Sequence, residues 1–173
     1  MRLLVEARPG AGKTTAFRRL AELLRDRGVP VAGFTTEELR ADSGKRVGFA
    51  VESLEGERAT LAHVDRKAGP RVGRYRVDLE AFERVALPAL EPPRGGVVLI
   101  DELGKMELAS ERFCHKVEEL FANADVELAA TVQSGRHPFT DRLKRRRDAE
   151  VVRLTAGNRD ALPGLLRERL AEG

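Results

Sequence analysis

The chain has 173 residues, enough for one domain with a sizeable core, and 42% hydrophobic against 34% charged residues is the balance of a soluble globular protein. Its 31 basic and 28 acidic residues leave a surplus of only +3, with the signs interspersed, so the high pI of 9.3 argues against a dedicated nucleic-acid surface. The lone Cys114 excludes an internal disulfide, no Cys/His spacing suits structural zinc, and no apolar run approaches membrane-spanning length.

The first predicted element is a short apolar strand, Leu3–Val5, running into EARPGAGKTT (6–15). This string resembles the phosphate-loop pattern G-x-x-x-x-G-K-[ST], with Ala7 where the first glycine belongs. A triphosphate needs backbone N–H groups converging on its oxygens, and Gly10 and Gly12 supply a chain that turns with positive φ and approaches closely. Lys13 offers a charge to the β- and γ-phosphates, Thr14 a hydroxyl to Mg²⁺, and the helix expected over Lys13–Arg27 points its positive end at the ligand. Position 7 marks the handover from strand to loop, where a methyl group is tolerated if φ is negative. The candidate phosphate site is thus Ala7, Arg8, Pro9, Gly10, Ala11, Gly12, Lys13, Thr14 and Thr15. Phe17, Leu20, Leu23 and Leu24 form the buried stripe of the helix.

Residues 31–78 have the texture of antiparallel hairpins: GFTTEEL (33–39) and RVGFAVES (46–53) flank a turn-rich ADSGK, and further strand-like pieces fall near 58–63 and 71–78. They read as an insertion on one domain. A helix over Leu79–Leu90 closes at Pro92-Pro93, and a βα rhythm then resumes. Strands are expected over Gly96–Ile100, Val126–Val132 and Glu150–Leu154, with helices over Ser110–Ala122, Phe139–Arg146 and Asn158–Ala171. Repeated βα units imply an α/β fold, a mainly parallel sheet flanked by helices on both faces.

In VVLIDELGKMEL (97–108), the four apolar residues Val97, Val98, Leu99 and Ile100 suit a strand buried on both faces, and Asp101 and Glu102 emerge at its C-terminal end. Ligands bind at that edge of an open α/β sheet. One carboxylate there is placed to hold Mg²⁺ through water, and the next to orient a water at the γ-phosphate.

The combination of DELGKMEL with the GFTTEE hairpin, together with RPGAGKTT (8–15), RVGRYRVDLEAFERVALPAL (71–90), HPFTDRLKRR (137–146) and NRDALP (158–163), resembles the small nucleoside-triphosphatase family of thermophiles, also called the cancer-related nucleoside-triphosphatase family. The resemblance spans nearly the whole chain. It implies a RecA-like P-loop domain that hydrolyses ATP, GTP and other nucleoside triphosphates slowly and with broad base tolerance, using Mg²⁺. On that reading Thr14 and Asp101 hold the metal, Lys13 neutralises developing charge and Glu102 orients the attacking water. The stretch Val97–Gly104, which includes Leu103, completes the nucleotide site. Lys105 is a solvated loop lysine or a γ-phosphate cation from spacing alone, and the GKME pattern favours the second. Gln133 and Arg136 end the next parallel strand at the same edge; a surface arginine is the default for Arg136. Asn158 is expected to cap the last helix, with a contact to the base ranking second. Cys114 and His115 take ordinary helix positions, and His63 and His137 have no identifiable partner.

Two other readings stay open. A small-molecule or polynucleotide kinase would use Glu102 to accept a proton from a hydroxyl, although an arginine-rich lid is not evident at the ligand edge. A nucleotide-dependent RNA-associated switch is weakened, in its guanine-reading form, by the absence of N-K-x-D. Nucleoside triphosphates are the expected partners, with no membrane association and a monomer favoured. MRLLVE has no apolar leader core, so a cytoplasmic location is expected. Arginine outnumbers lysine 25 to 6 and Asn, Gln, Met and Cys total six, which hints at a thermophile; GC-rich coding would also raise arginine.

Overall fold

A computed structural model describes residues 1–171. The apolar runs become strands because both of their faces are covered. β1 (Arg2–Ala7), β7 (Val97–Ile100) and β8 (Glu127–Gln133) are almost wholly withdrawn from water, and β8 lies parallel between the other two. β9 (Glu150–Arg153) adds a parallel edge beside β1. On the opposite side, β2 (Val31–Arg40) pairs parallel with β7 through Val31–Phe34, then continues as one arm of an antiparallel hairpin with β3 (Arg46–Ser53). β4 (Arg58–His63), β5 (Arg71–Val72) and β6 (Tyr75–Val77) extend that antiparallel half. The result is one nine-stranded sheet in the order β5-β6-β4-β3-β2-β7-β8-β1-β9.

The expected insertion over residues 31–78 therefore needs correcting at its start. Val31–Phe34 belong to the parallel core, and the strand changes partner pattern without a break because β7 ends at Ile100 while β2 runs on to Arg40.

Among the described residues, five α-helices cover the two faces. α1 (Lys13–Arg25) stops two residues short of expectation, with Asp26 as its C-cap and Gly28 turning the chain at φ 75°. α2 (Leu79–Ala89) is capped by Asp78, whose side chain accepts from the Ala81 N–H. α3 (Glu111–Ala122) is capped in the same way by Ser110, which accepts from Phe113 N–H. α4 (Pro138–Lys144) starts on His137, whose Nδ1 accepts from Phe139 N–H and so finds the partner the sequence did not reveal. The Nδ1 of His63 likewise accepts from Asp65 N–H.

α5 (Leu162–Ala171) begins four residues later than expected, and Asn158 is not its N-cap. The Asn158 side chain reaches back instead: its Oδ1 accepts from Thr155 N–H and its Nδ2 donates to the Arg153 carbonyl, both at 2.8 Å. That bonding ties a turn, and the helix starts only where Pro163 can occupy the first turn without needing an N–H partner.

Each face of the sheet buries its own core. α2, α3 and α4 pack on one side around Phe34, Phe82 and Phe113, whose rings meet edge to face at 5.1–5.8 Å. α1 and α5 pack on the other, through Phe17, Leu20, Leu24, Leu162 and Leu166 against Leu3, Val5 and Leu99. Each fully buried phenylalanine contributes about 1.5–3 kcal/mol by removal from water. The strand ends that carry the polar residues discussed below are fixed between these two layers. No helix among the described residues is long and apolar enough to cross a membrane.

Candidate active site

The loop between β1 and α1 has the conformation its glycines allow. Gly10 and Gly12 sit at φ 77° and 97°, and Gly12 is the residue from which α1 springs. No described residue other than glycine has positive φ, so Ala7 occupies ordinary strand backbone, paired with Gln133, and its methyl group is buried in the core. The missing glycine therefore costs no backbone strain. Ala7→Gly is expected to change nucleotide affinity by no more than about tenfold, or about 1.4 kcal/mol, as calorimetric titration would show.

Asp101 and Glu102 follow β7 directly, and the peptide bond between them is cis. The Asp101 carboxylate is fully buried between two hydroxyl donors: Thr14 Oγ1 donates to Oδ2 at 2.5 Å and Thr131 Oγ1 to Oδ1 at 2.7 Å. Burial pushes its carboxyl above the usual carboxylate range, and the two hydroxyls oppose that shift. The Thr14 hydroxyl also lies 3.1 Å from the carbonyl of Thr36 on β2, a second acceptor for its single proton. The loop, β7, β8 and β2 thus meet at one cluster of oxygens.

Glu102 lies alongside. Its Oε2 is 3.2 Å from Lys13 Nζ, an ion pair without hydrogen-bond alignment, and its Oε1 accepts from Gln133 Nε2 at 3.3 Å. Gln133 reaches it because β8 stands between β1 and β7 in the sheet. A third carboxyl, Glu107, is 4% exposed and converges on the same spot. A Cβ on Gly104 would lie 2.8 Å from Glu107 Oε2 and 3.0 Å from Glu102 Oε1, so only glycine lets both carboxyls approach. Burial, then the Glu102 charge, push the Glu107 carboxyl well above its ordinary range.

Two hollows flank the loop. One of about 630 Å³ lies toward β9 and is lined by Ala7, Arg8, Ala11 and the segment 153–156. The other, about 850 Å³, opens toward β7 and β2; Pro9, Gly10, Gly12, Lys13, Thr14, Thr15, Asp101, Glu102, Lys105 and Gln133 line its inner end. Of the remaining residues singled out from the sequence, Val97 and Leu99 point into one core and Val98, Ile100 and Leu103 into the other, so they position the acids without lining either hollow. Arg136 is exposed and lines neither. Asn158 lines neither, but it pins Arg153–Thr155, which form a wall of the smaller hollow. The basic run that ends α4 is paired within the protein: Lys144 Nζ donates to Glu6 Oε1, on the wall of the smaller hollow, at 2.9 Å and to the Gln133 carbonyl at 3.3 Å, and Arg146 pairs with Asp148.

Sequence reasoning missed Thr131, Glu107, Arg40 and Arg46. Thr131 was detectable as the one polar residue inside an apolar strand, and Glu107 as the last acid of DELGKMEL. Arg40 and Arg46 carry no local signal. They enter the larger hollow because hairpin pairing sets them opposite each other at its rim.

A family model described as NTPase matches residues 2–166. Nucleoside-triphosphatase THEP1 of Thermotoga sp. (strain RQ2) is 39% identical over 94% of this chain and 91% of its own length. The human cancer-related nucleoside-triphosphatase is 38% identical over 89% of this chain and 88% of its own. Among solved structures, the crystal structure of THEP1 from the hyperthermophile Aquifex aeolicus superposes with a TM-score of 0.86 at 30% identity, covering 98% of this chain and 99% of that one. The solution structure of a human cancer-related nucleoside triphosphatase gives 0.84 at 34%, covering 99% and 98%.

Proposed function

The chain belongs to the NTPase family, and from that premise we propose that it hydrolyses nucleoside triphosphates to the diphosphate and phosphate, slowly, with Mg²⁺ and with little regard for the base. The chain is read as one RecA-like P-loop domain; the order β7-β8-β1, with one strand between the loop-bearing strand and the acid-bearing one, supports that assignment. The observation that carries the functional reading is the convergence of Lys13, Thr14, Asp101 and Glu102 at the C-terminal edge of the parallel strands.

The oxygens fit a small hard cation. Thr14 and Asp101 present them side by side, and Thr131 holds the second Asp101 oxygen in place. Thr14 would bind Mg²⁺ directly and Asp101 through its water shell, and the ion supplies charge neutralisation at the β- and γ-phosphates.

The chain's own residues supply the rest. Amides of Arg8 to Thr15 cradle the phosphates, while the nucleoside extends toward the hollow beside β9. Lys13 meets the β- and γ-oxygens, and in doing so leaves Glu102, its present partner at 3.2 Å. Glu102 Oε2, which has no aligned donor, is then free to accept from a water and aim it at the γ-phosphorus. Gln133 keeps the other carboxylate oxygen in register, and Lys105, exposed at the cleft mouth, adds charge opposite the departing phosphate. Positioning and electrostatics supply most of the acceleration.

The test is phosphate release by the pure protein with each nucleotide and Mg²⁺. Because identifiable contacts go to phosphates, ATP, GTP, CTP and UTP should fall within about tenfold of one another in kcat/KM, about 1.4 kcal/mol in transition-state binding. A preference of about 10⁴ for one base would require buried hydrogen bonds to that base and would end the broad-tolerance reading.

A further inference from the structure

The larger cleft is longer than a triphosphate site needs. Its inner end holds the loop, the acids and Lys105; its outer part is lined by Glu38, Arg40, Arg46, Phe49, Val72 and Tyr75. This outer wall exists because β2 pairs with β7 only as far as Phe34–Ile100 and then rises six more residues beyond the ligand edge. Since the Thr36 carbonyl marks the level of the Thr14 hydroxyl, the wall reaches from there to Arg40 over roughly 13 Å of extended chain.

Arg46 dominates the wall and is held from several sides. Its Nε donates to Tyr75 Oη at 2.9 Å and its Nη1 to Glu38 Oε1 at 3.0 Å. Its guanidinium lies over the rings of Phe49 at 5.3 Å and Tyr75 at 5.8 Å. Tyr75, buried beneath it, also accepts from Arg74 at 3.2–3.3 Å. An ordinary surface arginine forfeits such fixity to side-chain entropy. This one is a planar cation already immobilised, with its side chain 44% exposed, and its Nη2 makes no hydrogen bond among the described residues. Such a plane stacks on flat heterocycles, and the Glu38 carboxylate, shared between Arg46 and Arg40, holds it in place.

We propose that the outer cleft is an acceptor site for a nucleoside, bound with its base on Arg46 and its primary hydroxyl at Glu102, so that the γ-phosphoryl group passes to that hydroxyl when the site is filled and to water when it is not. The inference rests on the hydrolase reading above. The acceptor oxygen forms a bond to the γ-phosphorus as the bond from that phosphorus to the β-bridging oxygen breaks; the electron pair leaves with the nucleoside diphosphate, and the hydroxyl proton passes to the Glu102 carboxylate. The products are a nucleoside monophosphate and a nucleoside diphosphate, with no further reactant. Glu102 and Arg46 line one continuous hollow of about 850 Å³, and the separate hollow beside β9 leaves the donor's own base a place elsewhere.

The experiment is incubation of the full chain with Mg²⁺ and γ-labelled ATP in the presence of adenosine, guanosine, cytidine or uridine, with separation of labelled phosphate from labelled monophosphate. Label is expected in the monophosphate of at least one nucleoside. Arg46→Ala should lower that transfer about tenfold or more, in keeping with loss of a stacked cation, while phosphate release without nucleoside stays within about twofold. Arg46→Lys, which keeps the charge and removes the plane, should lower transfer comparably and covers the case in which the alanine variant does not fold. Label confined to free phosphate with all four nucleosides, while hydrolysis proceeds, overturns the acceptor site and leaves the hydrolase reading standing. A rise in KM for ATP alone in the Arg46 variants also overturns it, because the wall would then read the donor's base. If neither phosphate nor monophosphate is labelled, the hydrolase reading fails and takes this inference with it.

Discussion

Lys13→Ala is expected to abolish measurable nucleotide hydrolysis while leaving the fold intact. Lys13 opens α1, its side chain is mostly shielded, and its one charged partner among the described residues is Glu102. Lys13 belongs to neither hydrophobic core, so little folding energy depends on its ammonium. On the proposed reading the chemistry depends on it heavily. Charge that develops on the β- and γ-oxygens would lose the only lysine in the loop, and removal of one preorganised electrostatic partner from such a site typically costs about 10²–10³ in rate or more. Phosphate release beside a thermal melt makes the comparison. Normal turnover in a folded variant would remove the phosphate-loop hypothesis, whereas loss of the melting transition would mean that the Lys13–Glu102 pair is structural.

The second large effect separates two adjacent carboxylates that look interchangeable in the sequence. Glu102→Gln preserves size and one acceptor but removes the negative charge facing the cleft, so nucleotide and Mg²⁺ should still bind while hydrolysis falls by about 10²-fold or more. Asp101→Asn changes a buried group whose two oxygens both accept, from Thr14 and Thr131. An amide offers one acceptor where two are used and sets N–H against a hydroxyl, so the oxygen pair proposed to hold the metal is disturbed. Its defect should include weaker Mg²⁺-dependent binding and partial rescue at high Mg²⁺. Calorimetric affinity and single-turnover hydrolysis across a Mg²⁺ titration distinguish the two. If Glu102→Gln loses binding and Asp101→Asn binds normally but is inactive, the roles are reversed. If both hydrolyse normally, Gln133 is the next residue to replace.

What the sequence disclosed and what it hid divide along one physical line. The loop of 6–15 and the acids after VVLI were legible because each is a local string whose chemistry needs adjacent residues. Asn158 misled because a cap and a tied turn use the same side chain, and only the tertiary position of Thr155 and Pro163 decides between them. Thr131 lies 30 residues from the Asp101 it bonds and Gln133 lies 31 from Glu102. Those contacts are made by strand register, which no local pattern carries. The rim arginines were hidden for the same reason, and so was the double pairing of β2, where a composition shift marked a change of texture but the strand itself did not end.

The order of strands in space has a consequence for the birth of the molecule. β1 is the first strand made, yet its two neighbours, β8 and β9, are among the last, with Arg2 paired to Leu128 and Leu3 to Glu150. Until about three-quarters of the chain has left the ribosome, a strand destined for near-complete burial has both edges bare, and the glycine loop behind it has no rigid seat. The antiparallel half, whose hairpins close locally, can form well before. Nucleotide, which grips the loop from outside, therefore cannot template early folding; it can only reward a chain that is already nearly complete.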